Sequence, residues 1–279
     1  MEIRFYNSRG SITFSGRYRE GAWCMTACEG LAFSGKTFQT ARFGKAAGCS
    51  IIDSMENQRT VTISGDICTS DLNFTENYSN SLAVLGDTGT LEIKTALGIR
   101  KTEAVCSEFA ETGKNKAFRS FCVQFICENP FFESETSEEF YIYKTIPKLN
   151  GNFTFPGVFS QRIASGTVFC AGSAACEPIF FIDTGTAGGK LTVSNKTTGE
   201  KISIDYTAMP NELITLDVKK RTVTSSLGKD LTNLLSDDSF FDGFTLIPGE
   251  NELEAQSDTA DTGICVVCRF RPLYREAAV

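Results

Sequence analysis

The stretch from residue 211 to residue 251, NELITLDVKKRTVTSSLGKDLTNLLSDDSFFDGFTLIPGEN, constrains the fold of this chain more than any other part. Residues 213–218 form a short β-type run, the pair Lys219-Lys220 follows as a tight turn, and residues 221–224 supply the returning strand. A further turn at residues 248–251 precedes another strand. Short strands separated by turn signals predict an antiparallel sandwich, and none of these residues forms a catalytic motif.

The composition favours a mainly β chain. Of the 279 residues, 41% are hydrophobic, which allows a sizeable core, and 23 are Phe, a residue enriched in strands. Residues 59–65 alternate with period two, as a half-buried strand does, while Tyr78, Leu82 and Leu85 share one face of a short helix predicted around residues 72–85. No apolar run approaches the ~18 residues that a membrane helix needs. The first residues indicate the start of a strand without a signal peptide.

The balance of ionisable residues excludes several classes of function. The sequence contains no His, which excludes a Ser-His or Cys-His nucleophile pair, His-ligated zinc and a His general base. The net charge of −7 disfavours binding to nucleic acid through its phosphates. Residues 1–60 contain eight Lys and Arg and five Asp and Glu, whereas residues 225–261 contain one Lys and nine Asp and Glu. Two differently solvated surfaces, or complementary faces of an assembly, would both explain this asymmetry.

The composition divides the chain into two β domains. The first covers residues 1–128 and the second covers residues 151–279. Between them, residues 129–150 contain near their start Pro130, which interrupts a long apolar strand, and continue as an acidic, polar run typical of an interdomain linker. The strand at residues 263–271 lies in the second domain by position and is a candidate to pack back on the first.

The tripeptide Asp-Thr-Gly occurs at residues 87–89, 183–185 and 261–263. An aspartic protease needs two such loops facing each other, so that two carboxylates share one proton. The same tripeptide is ordinary turn chemistry, because Asp bonds its own backbone and Gly accepts a positive φ. Three copies in a turn-rich chain favour turns and leave an aspartic protease as the weaker alternative.

The 11 cysteines form an odd set without a secretory signal, which indicates reduced thiols. Cys265 and Cys268 have the spacing of half a zinc site, and Cys170 and Cys176 are candidates for the other half. Residues i and i+3 of a regular strand point to opposite faces, however. Cysteine serving as a small buried hydrophobe is therefore the favoured interpretation.

Two further binding motifs are weaker. Residues 185–191 resemble a phosphate loop only loosely, because the spacing before Gly189-Lys190 is short and Leu191 stands where Ser or Thr should hold magnesium. A glycan-binding β-sandwich module is the main alternative to a structural role, but the only tryptophan, Trp23, lies in the first domain. We therefore predict no catalytic, cofactor-binding or metal-binding residues.

Several segments resemble the distal tail protein family, which are baseplate hub components of long-tailed siphophages and prophages. In the second half, the likeness covers a run of small residues before a proline-led strand, a hairpin turn, a strand pair, two phenylalanines and the last turns. These segments are residues 171–180, 197–201, 214–217, 221–223, 240–241, 246–251 and 268–274. In the first half, residues 59–65 and 127–132 resemble the family's strand before the helix and its exit to the second domain.

This resemblance implies a non-enzymatic structural protein of the phage tail tip, without a cofactor. It implies an N-terminal β-sandwich-like ring domain with one short helix and a C-terminal galectin-like β-sandwich. Six copies would form a homo-hexameric ring that joins the tail tube protein to tail-tip or tail-associated proteins and receptor-binding proteins. DNA would only pass through the channel, and no membrane is involved. The implied location is the virion tail tip, after assembly in the bacterial host cytoplasm, with strands of residues 1–128 making the contacts between copies.

Overall fold

The computed structural model describes residues 1–17, 23–42, 44, 47–68, 74–114, 118–142, 144–147, 160–185, 188–258 and 264–277. Within these ranges the chain is mainly β, with helix α1 at Phe74–Leu85 and a 3₁₀ helix at Thr232–Leu234, so the predicted fold class is confirmed. The strands are β1 (Glu2–Asn7), β2 (Gly10–Ser15), β3 (Trp23–Glu29), β4 (Lys36–Ala41), β5 (Ser50–Glu56), β6 (Arg59–Cys68), β7 (Gly89–Thr95), β8 (Gly98–Lys114), β9 (Phe118–Cys127), β10 (Phe132–Ser134), β11 (Glu138–Ile142), β12 (Lys144–Pro147), β13 (Ser160–Cys170), β14 (Ile179–Asp183), β15 (Gly189–Asn195), β16 (Glu200–Ala208), β17 (Leu213–Asp217), β18 (Thr222–Ser225), β19 (Gly249–Ser257), β20 (Cys265–Phe270) and β21 (Leu273–Tyr274).

The chain forms two compact units, each with its own core. The first comprises Met1–Glu135 with Tyr274–Val279, and the second comprises Thr136–Leu273. The segment at residues 129–150, predicted as a linker, contains β10, β11 and β12. Its apolar residues explain the difference, because Phe132 is buried in the core of the first unit and Ile142 in the core of the second.

The C-terminal residues return to the first unit, but by a later segment than the one we expected. Strand β20 pairs with β11 and β14 of the second unit, because Val266, Cys268 and Phe270 alternate into that unit's core. The return is made beyond it: Ala277 is buried in the core of the first unit, and its N–H donates to the Leu31 carbonyl at 2.8 Å.

The first unit is built round a closed seven-stranded barrel. Its strands hydrogen-bond in the order β8-β7-β1-β2-β3-β6-β9, and pairing of β9 with β8 closes the circle. The length of β8 makes closure possible, because its first part pairs with β7 and its second part pairs with β9. Alternating residues of β6, among them Val61, Ile63 and Ile67, point into a core that also holds Phe14 and Phe125. The expected sandwich-like domain is thus closed into a barrel.

Helix α1 packs on the rest of the first unit through aromatic and aliphatic side chains. The ring of Tyr78 stacks on that of Trp23, with the centroids 6.2 Å apart. Leu85 is buried as predicted, whereas Leu82 is 37% exposed and Val84 is buried in its place. The predicted helix is confirmed, but its buried face is rotated towards Val84, because the helix packs against β2.

The second unit is an antiparallel sandwich of two five-stranded sheets, which confirms the prediction from residues 211–251. One sheet has the order β11-β20-β14-β17-β18 and the other the order β12-β13-β19-β15-β16. Both contribute to one core, in which the rings of Phe180 and Phe244 meet edge to face with centroids 5.6 Å apart. At the predicted turn between β17 and β18, the Asp217 carboxylate accepts the Lys220 N–H at 2.9 Å.

The turn predicted at residues 248–251 is closed by two buried asparagines. Asn251 and Asn195 are both fully buried. The Asn251 amide accepts the Ile247 N–H at 2.9 Å and donates to the carbonyls of Ile247 and Gly249 at 2.8 and 3.2 Å. Asn195 donates to the side-chain oxygen of Asn251 at 3.2 Å. Gly249 has a φ of +94°, which residues with a Cβ rarely adopt. The glycine allows the sharp turn, and the hydrogen bonds of Asn251 close the loop that leads into β19.

The substitution Asn251→Ala is expected to destabilise the second unit. It removes three hydrogen bonds to a tight loop and leaves buried backbone groups and Asn195 without that partner, at a cost of about 2–3 kcal/mol. Thermal and urea unfolding of the full chain measure the effect. The matched control is Glu252→Ala, the next residue of the strand, which is exposed and should change the stability by less than about 0.5 kcal/mol. Equal stability of the two variants would contradict this account of the motif.

Candidate functional site

The structure shows turn geometry at one Asp-Thr-Gly copy and an ion pair at a second. The Asp183 carboxylate accepts the Gly185 N–H at 2.9 Å, which is the turn geometry expected of this tripeptide. The carboxylate of Asp87 pairs with Arg9 at 2.5 Å. These two aspartates belong to different compact units, and residues 261–263 lie outside the described ranges. The contacts of Asp87 and Asp183 therefore favour turns over a proton-sharing pair.

The cysteines singled out as zinc candidates follow the pattern of a regular strand. Cys268 is buried and Cys265 is half-buried, as expected for residues on opposite faces of β20. Cys170 and Cys176 lie in the core of the second unit with their sulfurs 3.6 Å apart. Within the part of the chain that the structure describes, no group of three or more Cys, Asp and Glu is placed to hold a metal ion.

The two other binding motifs also have structural partners. In the loose phosphate-loop match, the Lys190 N–H donates to Asp258 at 2.7 Å and its ammonium group pairs with Asp205 at 2.6 Å. Lys190 therefore faces carboxylates rather than an anion site. Trp23 is buried in the core of the first unit, where its ring also meets Phe121 edge to face at 4.9 Å, so it offers no platform for a sugar.

The feature that stands out is a hairpin formed by β4 and β5, which the sequence analysis did not single out. These two strands pair with each other and with no other described strand. Their residues are almost all exposed, and the first unit's barrel and core do not include them. An isolated two-stranded hairpin is only marginally stable in water, because it has no third layer to cover its apolar residues.

This exposed hairpin carries large apolar side chains. Phe38 is 51% exposed, Ile51 62%, and Ile52 and Met55 are each 68% exposed. Phe38 pairs with Ser54 while Met55 pairs with Thr37 on the next rung, so Phe38 and Met55 lie on opposite faces. Clustered exposed apolar residues of this kind mark an interaction surface.

The base of the hairpin is held firmly, in contrast to its strands. The Glu56 carboxylate accepts from the Arg275 guanidinium at 2.9 and 3.0 Å and lies 3.6 Å from the Lys36 ammonium group. The Asn57 N–H donates to the Gly35 carbonyl at 2.9 Å. The returning C-terminal segment, through Arg275, therefore anchors the point from which the hairpin projects.

Arg59, next to this base, is a buried cation that joins four segments of the first unit. It is 2% exposed. Its guanidinium donates to the carbonyls of Pro130 at 2.8 Å, Gly30 at 2.6 Å and Arg275 at 2.6 Å. It also donates to the Ala32 carbonyl and lies over the Phe132 ring at 4.3 Å. Burial lowers the pKa of Arg59 from its usual value, and the attraction of nearby anionic groups opposes that shift.

A sequence signal for the hairpin exists, but it is ambiguous. Residues 36–41 and 50–56 are strand-like runs on either side of Gly44 and Gly48, which have φ values of +54° and +95°. Nothing in this pattern distinguishes a hairpin that joins the barrel from one that projects away from it. The exposure of Ile51 and Ile52, and the role of Arg59 as a buried hub, are therefore visible only in the structure.

Together these observations define a two-unit, mainly β protein with a rigidly anchored, exposed apolar hairpin. The family model described as siphovirus-type tail component, C-terminal domain, matches residues 171–274. This match spans 104 of the 279 residues; it confirms the resemblance to distal tail proteins predicted from the sequence and supports the predicted structural tail role. No curated protein matches the sequence.

Solved structures with a similar fold also come from phages. The crystal structure of SPP1 Dit, described as a paradigm of the hub adsorption apparatus in phages that infect Gram-positive hosts, aligns with a TM-score of 0.65 and 11% identity. That alignment covers 90% of this chain and 93% of SPP1 Dit. At this identity the likeness concerns the fold.

Two structures of the phage p2 baseplate in its activated conformation, with Ca and with Sr, align with TM-scores of 0.43 and 0.40 and identities of 9% and 11%. Each covers 96% of this chain and 97% of the other. Scores at this level do not establish a shared fold.

Among the described residues, no helix is both long enough and apolar enough to cross a membrane.

Proposed function

We propose that this protein assembles as a homo-hexameric ring at the distal end of a phage tail. The ring joins the tail tube protein to the tail-tip or tail-associated proteins and the receptor-binding proteins, and DNA passes through its channel. It has no catalytic activity, and it assembles in the cytoplasm of the bacterial host before it takes its place in the virion. The single observation that carries the proposal is the exposed apolar hairpin of the first unit.

The occupant that we assign to this hairpin is a second copy of the chain. The hairpin offers apolar side chains on both faces and two strand edges that no other described strand pairs with, so a neighbour can cover the side chains and extend the sheet at once. Contacts of one surface with a different surface on the next copy close into a ring when the rotation between copies divides a full turn. Its location within residues 1–128 agrees with the expectation that this part of the chain makes the ring.

The charge distribution supports a contact between unlike surfaces. Residues 1–60, which include the hairpin, carry an excess of Lys and Arg, whereas residues 225–261 carry an excess of Asp and Glu. Complementary charges steer encounter and orient the partners, while apolar burial contributes most of the association free energy. The SPP1 Dit likeness adds a protein of related fold that belongs to a hub.

Size and shape of the purified full chain test the proposal. We expect light scattering to give six times the mass of the chain and negative-stain microscopy to give rings of uniform diameter with a central opening. Because the contact is mainly apolar, rings should persist in about 1 M salt, where interactions between exposed charges are largely screened. A chain that remains monomeric at every protein and salt concentration, or that forms open filaments, contradicts the proposal.

A further inference from the structure

Two cysteines of the second unit are in direct contact across a short loop. Cys170 ends β13, and Glu177 and Pro178 separate Cys176 from the start of β14. Their sulfurs are 3.6 Å apart, and both residues are free thiols buried in the core of the second unit. The chain between them, Ala171-Gly172-Ser173-Ala174-Ala175, consists of small residues, so no bulky side chain separates the two ends of the loop.

The loop is held in place on both sides of the thiol pair. The Ser173 and Ala174 N–H groups donate to the Leu273 carbonyl at 2.9 and 3.0 Å. A Cβ on Gly172 would stand 2.4 Å from that same oxygen, so only glycine fits there. The backbone of Cys176 exchanges two hydrogen bonds with Leu246, at 3.0 and 2.8 Å. The two sulfurs are therefore kept facing each other by backbone contacts.

The surroundings of the two thiols make them chemically unlike. A hydrogen bond from the Cys176 thiol, followed by one from the Gly172 N–H, lowers the pKa of Cys170 to about 7 despite burial. The same contact with Cys170, together with burial, raises the pKa of Cys176. Thiolate is the nucleophilic form of cysteine, so Cys170 is the sulfur that reacts first with an electrophile.

We propose that Cys170 and Cys176 form an oxidisable pair that closes into an intramolecular disulfide on exposure to a peroxide. The Cys170 thiolate attacks one oxygen of hydrogen peroxide, giving Cys170 sulfenic acid and hydroxide. The Cys176 thiol then attacks the sulfenic sulfur, so that the S–S bond forms, the S–O bond breaks and a second hydroxide leaves. The protons of the two thiols convert both hydroxides to water, so two thiols and one peroxide give one disulfide and two waters.

Other cysteines near this pair are poorer candidates. Cys268 is buried on β20, and burial, with a further contribution from Cys170, raises its pKa. Cys265 lies on the other face of the same strand. Cys49 is exposed, and it will react with peroxide faster than the buried pair, which depends on local opening of the loop.

Peptide mapping of the full-length, peroxide-treated protein tests this proposal. After blocking of the remaining thiols and digestion without reductant, we expect a linked species joining the peptides of Cys170 and Cys176, lighter by two hydrogens than the reduced form. A thiol-free phosphine reductant should restore the separate peptides. The rate of linkage should fall as the pH is lowered through about 7, because protonation removes the Cys170 thiolate.

Two variants and one stability measurement complete the test. In Cys176→Ser, Cys170 is expected to advance to sulfinic acid instead of forming a bond, whereas Cys265→Ser should form the bond as the unchanged protein does. Closure of the bond should also raise the Tm of the second unit by about 2–5 °C. The proposal would be overturned if Cys170 and Cys176 were both still thiols under conditions that oxidise Cys49. Linkage of Cys170 to any other cysteine would overturn it as well.

Discussion

Changing both Ile51 and Ile52 to Asp is expected to leave the protein as a folded monomer. Both side chains are more than 60% exposed in the isolated chain, so aspartate at these positions faces water and the barrel keeps its stability. In the proposed ring, the same positions would be covered by a neighbouring copy. Each carboxylate would then be buried in an apolar contact, at a cost of about 2–3 kcal/mol, so two of them weaken each contact by about a thousandfold or more.

Light scattering and negative-stain microscopy of the double variant measure this effect, and thermal unfolding verifies the fold. The matched control is Met209→Asp, which changes an apolar residue that is 59% exposed in the second unit and lies outside residues 1–128 and 225–261. We expect this control to assemble as the unchanged protein does. If the double variant forms rings as well as the unchanged protein, the hairpin is not the contact between copies. The proposal of a ring would still stand in that case, because the rings themselves are observed.

Replacing Arg59 by Met is expected to destabilise the first unit by about 3–5 kcal/mol, the largest effect that we anticipate for a single position. Methionine approximates the length of the aliphatic stem but supplies no donor. Four carbonyl oxygens, from the loop at residues 30–32, from Pro130 and from Arg275, lose their shared partner in a buried place. The loss acts on the segments that anchor the hairpin, so assembly should weaken together with stability.

Urea unfolding of the full chain, followed by the fluorescence of Trp23 in the core of the first unit, measures this loss. Arg59→Lys should recover only part of the stability, because an ammonium group cannot reach four carbonyls arranged round a planar guanidinium. Arg9→Met is the control, since the Arg9 side chain is 57% exposed and its pair with Asp87 should contribute less than about 1 kcal/mol. A small effect of Arg59→Met, similar to that of the control, would contradict the role of Arg59 as a hub.

The second unit could be predicted in detail because its strands and turns are specified locally. The turn at Lys219-Lys220, the strand at Ile179–Asp183 and the loop before Asn251 each depend on residues that are neighbours in sequence. Alternation along β20 likewise indicated that Cys265 and Cys268 face opposite sides. Patterns of period two and turn chemistry carry this information without any knowledge of the partner strand.

The first unit was harder to predict because its organisation depends on distant contacts. Whether β8 pairs only with β7 or also with β9 decides between an open sheet and a barrel, and both pairings fit its alternation. The predicted helix face included Leu82, which is exposed, because the side that meets the barrel is chosen by the surface it packs on. In the sequence, Arg59 is an ordinary charged residue at the start of a strand. It becomes a buried hub only because the fold places carbonyl groups of distant residues, such as Pro130 and Arg275, around its guanidinium.

Local sequence patterns were enough to predict a mainly β protein whose second half is an antiparallel sandwich, and the sequence contains no His for a histidine-dependent site. Periodicity, turn residues and composition are local properties, so they can be recognised from the sequence without knowledge of the tertiary structure. Tertiary structure alone decided that the barrel closes, that Ala277 returns to the first unit, and that β4 and β5 project with their apolar residues uncovered. Whether a side chain is exposed or buried depends on which distant segments meet. The spacing of residues along the chain therefore does not predict which apolar side chains stay uncovered.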